Sequence, residues 1–154
     1  MTEKLEITQY WNDYLKDHPE AADYYDSAWA FGDNPRLADE LLALVLDGTK
    51  TGTAMNYELN EVLGVPLPFI GGHSILLDSN GEPRGIVKTT KFEIVSFAEV
   101  TAEFAYSEGE DDRTLESWRY EHEVYFTREL KAYNKEFDPG MRVICENFKL
   151  VHRK

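Results

Sequence analysis

A chain of 154 residues with 42% hydrophobic and 29% charged side chains suits one packed domain, and no stretch of it is apolar enough to span a membrane. With 16 Lys and Arg against 29 Asp and Glu, the net charge of −13 excludes broad adhesion to polyanions and leaves room only for a local basic cleft. The single cysteine, Cys145, cannot form an intrachain disulfide; with an acidic N-terminus lacking a secretory signature, it points to the cytoplasm.

The first third reads as helical. In "EITQYWNDYLKDH" the residues Ile7, Trp11, Tyr14 and Leu15 recur at helical spacing, and His18-Pro19 ends the run. "EAADYYDSAWAFGD" is aromatic and acidic and closes in a Gly-Asp turn. Asn34 then caps a second helix, with Pro35 at its first position. Leu37, Leu41, Leu44 and Val45 form its apolar stripe, and Gly48 suits a left-handed stop. Residues 48–53 form a turn into a short extended segment, and "YELNEVLG" supplies one or two helical turns.

From Gly71 the pattern becomes strands. Asn80-Gly81 signals a hairpin between two β-rich runs. The second run carries Ile86, Val87, Phe92, Ile94 and Val95 in imperfect alternation, which predicts a bulge or strong curvature. An acidic segment follows, then a helix with Leu115, Trp118, His122, Tyr125 or Phe126, and Leu130 on one face. A last strand covers about residues 142–151. This order is α+β, and a small curved or closed sheet with helices at its side is the expected packing.

The stretch "LLALVLDGTKTGTAMN" sets one lysine among small hydroxyl residues just past a helix. Gly48, Lys50 and Thr53 spell G-x-K-x-x-T. A phosphate-binding P-loop needs two glycines before the lysine, Ser or Thr directly after it, and a helix that follows; here the helix precedes. On pattern alone, an exposed lysine in a polar turn accounts for the stretch equally well.

The motif resembles the signature of the ASCH domain, of the PUA-like superfamily. "SAWAFGDNPRLADELLALVLDGTKTGTA" is similar to the opening of a bacterial ASCH subfamily, and "KTTKFEIVSFAEVTAEFAYSEGEDDRTLESWRYEHEVYF" to its later strand, acidic loop and helix. Together they span residues 27–151. The resemblance implies a small β-barrel flanked by helices over residues 27–154, preceded by an N-terminal helical extension, 1–26. It implies RNA or nucleoside-like ligands, and an activity found in some small members: hydrolysis of the amide of an acylated nucleoside by a lysine, a threonine and a glutamate. Other members are described as ribonucleases. Carried onto this sequence, the lysine is Lys50, the threonine Thr53, and the glutamate, at the end of the short helix after the second long strand, Glu108. Thr51 joins them as a ligand contact. The family often has a basic residue two positions after the threonine; Met55 stands there, so one expected anion contact is missing.

The chemistry sets conditions. A threonine hydroxyl attacks only when its proton is taken, and Lys50 takes it only when neutral, so burial must lower its pKa. Glu108 must then be protonated, or act as a shuttle or orienter. In the alternative, Lys50 binds a phosphate or carbonyl and Thr53 donates a hydrogen bond, with no perturbed pKa.

Of the remaining candidates, Trp118 reads as core, His122 as either a satisfied core group or a pocket base, and Arg119 as a phosphate grip or a surface ion-pair residue. His73, after Gly71-Gly72, stands where backbone can approach a ligand or simply turn. "EGEDD" lacks calcium-loop spacing and reads as a solvated loop; no metal or other cofactor is expected. Tyr10, Trp11, Tyr14, Tyr24, Tyr25, Trp29 and Phe31 are interleaved with acids, which favours packing or a homodimer contact over stacked bases. Beside the ligand-cleft reading stand a non-catalytic RNA-binding module and a protein-interaction domain.

Overall fold

The computed structural model describes residues 2–154, with side chains from residue 5 onward; Met1 of the expected extension lies outside the described residues. The described residues form five helices and five strands in the order α1 (Thr2–Asp17), β1 (Tyr25–Trp29), α2 (Pro35–Leu46), β2 (Gly52–Asn56), α3 (Tyr57–Leu63), β3 (His73–Leu77), β4 (Pro83–Ser96), α4 (Ala102–Glu108), α5 (Leu115–Lys131) and β5 (Arg142–Arg153). Short 3-10 turns cover Pro19–Ala21 and Phe97–Glu99.

The strands form one sheet in the order β1-β3-β4-β5-β2. β1 runs parallel to β3, and every other pair is antiparallel. The sheet is therefore mixed and open, and the expected barrel is corrected: β1 and β2 stand at opposite edges and do not pair. The physical reason is α2, which connects those two strands. Its Leu41, Leu42 and Val45 pack with Leu76 of β3, Val87 of β4 and Phe148 of β5, so a helix fills the space that edge-to-edge closure would need. The imperfect phase of the long strand has its counterpart in β4, whose pairing with β5 shifts register at Ile86/Val87 and again at Thr89/Lys91.

Local sequence explains the helix ends. The Asn34 side chain accepts the Leu37 N–H at 2.9 Å, and Pro35 needs no donor in the first turn. Gly48 adopts φ 89°, and the amides of Thr49 and Lys50 both return to the Leu44 carbonyl. A second core joins Phe97, Phe104, Trp118 and Phe126 to Val143 and Cys145, which places α4 and α5 over the other face of β5. The α1 residues Tyr14, Ile7 and Leu15 pack with Ile75 and Ile86. The aromatic, acidic run that carries no strand pattern contains β1. The strand crosses the expected boundary between residues 26 and 27. Among the described residues no helix is long and apolar enough to cross a membrane.

Candidate active site

The turn after α2 delivers Lys50 into the protein. Its side chain is 1% exposed, and its Nζ donates to Glu108 Oε1 at 2.9 Å and Glu110 Oε2 at 2.8 Å, with the Phe31 ring centroid 5.4 Å away. Two glycines allow this approach. Gly109 caps α4 at φ 70°, and a Cβ there would stand 2.5 Å from the Thr49 carbonyl oxygen and 3.0 Å from Lys50 Cα. A Cβ on Gly52 would stand 2.8 Å from Ser107 Oγ. The end of α4 thus lies directly on the lysine turn. Thr51 N–H seals the contact by donating to the Ser107 carbonyl at 2.7 Å.

Glu108 is the hub of the cluster. Its other carboxylate oxygen, Oε2, accepts from Trp118 Nε1 and lies 3.1 Å from His122 Nε2. The two rings stack with centroids 4.1 Å apart, one helical turn separating them on α5, and His122 Nδ1 donates to the Trp118 carbonyl at 2.9 Å. Trp118 is at once core and carboxylate donor.

The electrostatics follow from burial against neighbouring charge. Burial pushes the Lys50 pKa down, but the Glu108 and Glu110 carboxylates outweigh it, and the net shift is upward. The shielding expected of this lysine is present, but the neutrality that a lysine base requires is not: two carboxylates replace the lost water, and the ammonium stays charged. Burial likewise pushes Glu108 up, and Lys50 with His122 outweighs it, holding the carboxyl far below the usual range. Burial opposes the charge on His122 too, but Glu108 holds that pKa above the ordinary value. Glu110 behaves differently. Burial and the repulsion of Glu108 exceed the pull of Lys50, so its pKa is raised. It is the carboxyl of the cluster whose proton affinity is enhanced, and it keeps 23% of its side chain exposed.

Lys50, Thr53, Glu108, Glu110 and His122 line one cavity of about 380 Å³, within the range of about 300–1,000 Å³ typical of small-molecule sites. Its walls come from α2 (Leu37, Leu41, Leu44) and α5 (Val124, Tyr125). Its polar lining holds the carboxylates Glu40, Glu108, Glu110, Asp111 and Glu121 and the fixed cations Lys50, Arg36 and Arg128. Among the described residues, Glu108, Glu110 and His122 bring one donor atom each within 4.8 Å of one another. Lys50 already supplies a cation to both carboxylates of that group.

The expected site residues divide accordingly. The structure brings Lys50, Thr53, Glu108 and His122 to the cavity. Thr51 is exposed and serves the turn. Arg119 is exposed and donates to the Ala98 carbonyl at 3.0 Å. His73 lies in a separate groove, where Nδ1 is 2.8 Å from the Gly71 carbonyl oxygen. Glu110 also reaches the cavity, although "EGEDD" reads as a solvated loop. The available signal was its place two residues after the end of a helix that must dock on a lysine turn.

Comparison with known proteins places the chain. The ASCH domain family model matches residues 27–152. A crystal structure of the protein EF3133 from Enterococcus faecalis V583, bearing the DUF984 family model, is 31% identical, with a TM-score of 0.86 over 96% of this chain and 89% of that one. An ASCH domain from Lactobacillus crispatus JV V101 is 26% identical, with a TM-score of 0.86 over 98% of this chain and 94% of that one. The hypothetical protein PH0355, at 12% identity and a TM-score of 0.53 over 82% of this chain and 98% of that one, shares the fold alone. No curated protein matches significantly. A lysine turn closed by the end of a short helix, on a sheet shared with these structures and under a family model covering residues 27–152, makes this chain a member of the ASCH domain family.

Proposed function

We propose that the Lys50 cavity binds a nucleoside-sized, weakly charged ligand and hydrolyses an amide on it, as in an acylated nucleoside. The family is generally thought to bind RNA, and this reading narrows that to a ligand the cavity can hold. The observation that carries it is a buried, charged lysine between two carboxylates of opposite pKa shift, on the floor of a cavity that Thr53 also lines. With carboxylates outnumbering fixed cations in the lining, a run of phosphates is a poor occupant.

The roles follow from charge state. Glu110, as carboxylate, takes the proton of the Thr53 hydroxyl as its oxygen attacks the acyl carbon. The Lys50 ammonium stabilises the resulting oxyanion. Glu110 then gives that proton to the departing nitrogen, the C–N bond breaks, and the acyl group stays on Thr53. Water, deprotonated by Glu110, attacks that ester; the acyl C–O bond to Thr53 breaks, Glu110 returns the proton to the Thr53 oxygen, and the carboxylic acid leaves. Glu108 remains ionised throughout and positions Lys50 and His122.

The test is incubation of the full chain, and of Thr53→Ala and Glu110→Gln, with a panel of N-acylated nucleosides and short RNAs. Turnover of a nucleoside amide, lost in both variants, supports the reading. RNA binding that weakens steeply with salt, without turnover, replaces it with the non-catalytic module.

A further inference from the structure

The larger concavity, about 900 Å³, shares no lining residue with the Lys50 cavity. It lies between the end of α1 and the β4–β5 ladder, with Lys88 and Lys149 on its wall. These two lysines are direct partners across the antiparallel pair, and both are exposed. Like charges in that position repel and cost stability. Neither forms an ion pair with a described carboxylate. Glu20, the acid of this groove, lies 3.3 Å from His18 Nδ1, and Lys88 is the weakest of the influences on it. In a chain with 29 acidic residues, an uncompensated lysine pair calls for an anion from outside. In the same lining Tyr24 is 46% exposed and Ile70 57% exposed, so an aromatic ring and an apolar side chain are open to solvent.

We infer that this groove is a second binding site, for an organic phosphate that carries a planar ring. Lys88 and Lys149 hold the phosphate as point charges, and Tyr24 takes the ring by stacking. The same chemistry is presented by a free mononucleotide and by one nucleotide of a single-stranded RNA. The site stands independently of any chemistry at Lys50.

The test titrates the full chain with cytidine 5′-monophosphate, a short single-stranded RNA and inorganic phosphate, following backbone amide shifts. The expected result is saturable binding that weakens with salt, with shifts at residues 88–90 and 149–151. Lys88→Ala/Lys149→Ala should weaken it at least about ten-fold, about 1.4 kcal/mol. That double variant should also unfold at a higher temperature, because the repulsion is gone, which separates lost binding from lost folding. Tyr24→Ala should weaken the ring-bearing ligands and leave inorganic phosphate unchanged. Tighter binding of the mononucleotide names a free metabolite, and tighter binding of the oligomer names RNA. No saturable binding of any probe, shifts confined to residues 49–54, or equal affinity in the double lysine variant would overturn the inference.

Discussion

Lys50 Nζ and Glu108 Oε1 meet at 2.9 Å with side chains only 1% and 2% exposed. The pair joins the turn after α2 to the end of α4, segments 58 residues apart. Removing one member leaves the other charged and dry, a loss of about 3–5 kcal/mol in comparable cases. Lys50→Met should therefore lower stability by that order, a fall of roughly 2–4 °C in Tm per kcal/mol. Adding Glu108→Gln should recover part of the loss. Urea unfolding of both variants checks this; additive losses would mean that the pair is not coupled.

The pH dependence of stability has a definite sign. The folded-state pKa of His122 is raised, so the folded chain holds a proton that the unfolded chain releases near pH 6.5. The stabilisation is complete below about pH 6.5 and is lost as pH rises through the folded value. Glu108 is shifted the other way. Its stabilisation is present above the ordinary carboxylate range and is lost as pH falls through its depressed value. Chemical unfolding between pH 6 and 9 should show declining stability that flattens in His122→Gln. Equal slopes would contradict the charged imidazole.

Gly109 and Gly48 separate steric fit from backbone strain. Both have positive φ, but a Cβ on Gly48 meets nothing within 4 Å, whereas one on Gly109 meets the Thr49 carbonyl oxygen at 2.5 Å. Gly48→Ala should cost about 1–2 kcal/mol, the left-handed strain alone. Gly109→Ala should cost more and shift the amide resonances of the lysine turn. Equal losses would argue against the close seating of α4.

Glu110→Gln should leave the fold intact, because it also removes the like charge beside Glu108. On the proposed substrates it should lower kcat by about 10²–10⁴-fold, the usual contribution of a positioned acid–base group. Steady-state kinetics with circular dichroism of the same preparation decides between lost chemistry and lost structure.

Much of the fold was legible because its signals are local. The Asn34 cap, the Gly48 stop and the irregular phase of β4 each depend on a few adjacent residues. Strand β1 was not legible. Its five residues are exposed or half-buried without alternation, and it exists by pairing with β3, as Ser27 does with Ser74, far along the sequence. Openness was hidden for a similar reason: the sequence shows an apolar α2, but not that its leucines pack on Leu76, Val87 and Phe148 of the sheet. At the site, Lys50, Thr53 and Glu108 came from family spacing. The second carboxylate on Lys50 did not, because Glu110 arrives from a loop that looks solvated.

The most direct measurement is a crystal structure of Thr53→Ala soaked with an N-acylated nucleoside. The acyl oxygen should lie about 3 Å from Lys50 Nζ, with the base between α2 and α5. A ligand seated only in the β4–β5 groove, or a Lys50 amine turned out to bulk water, would contradict it.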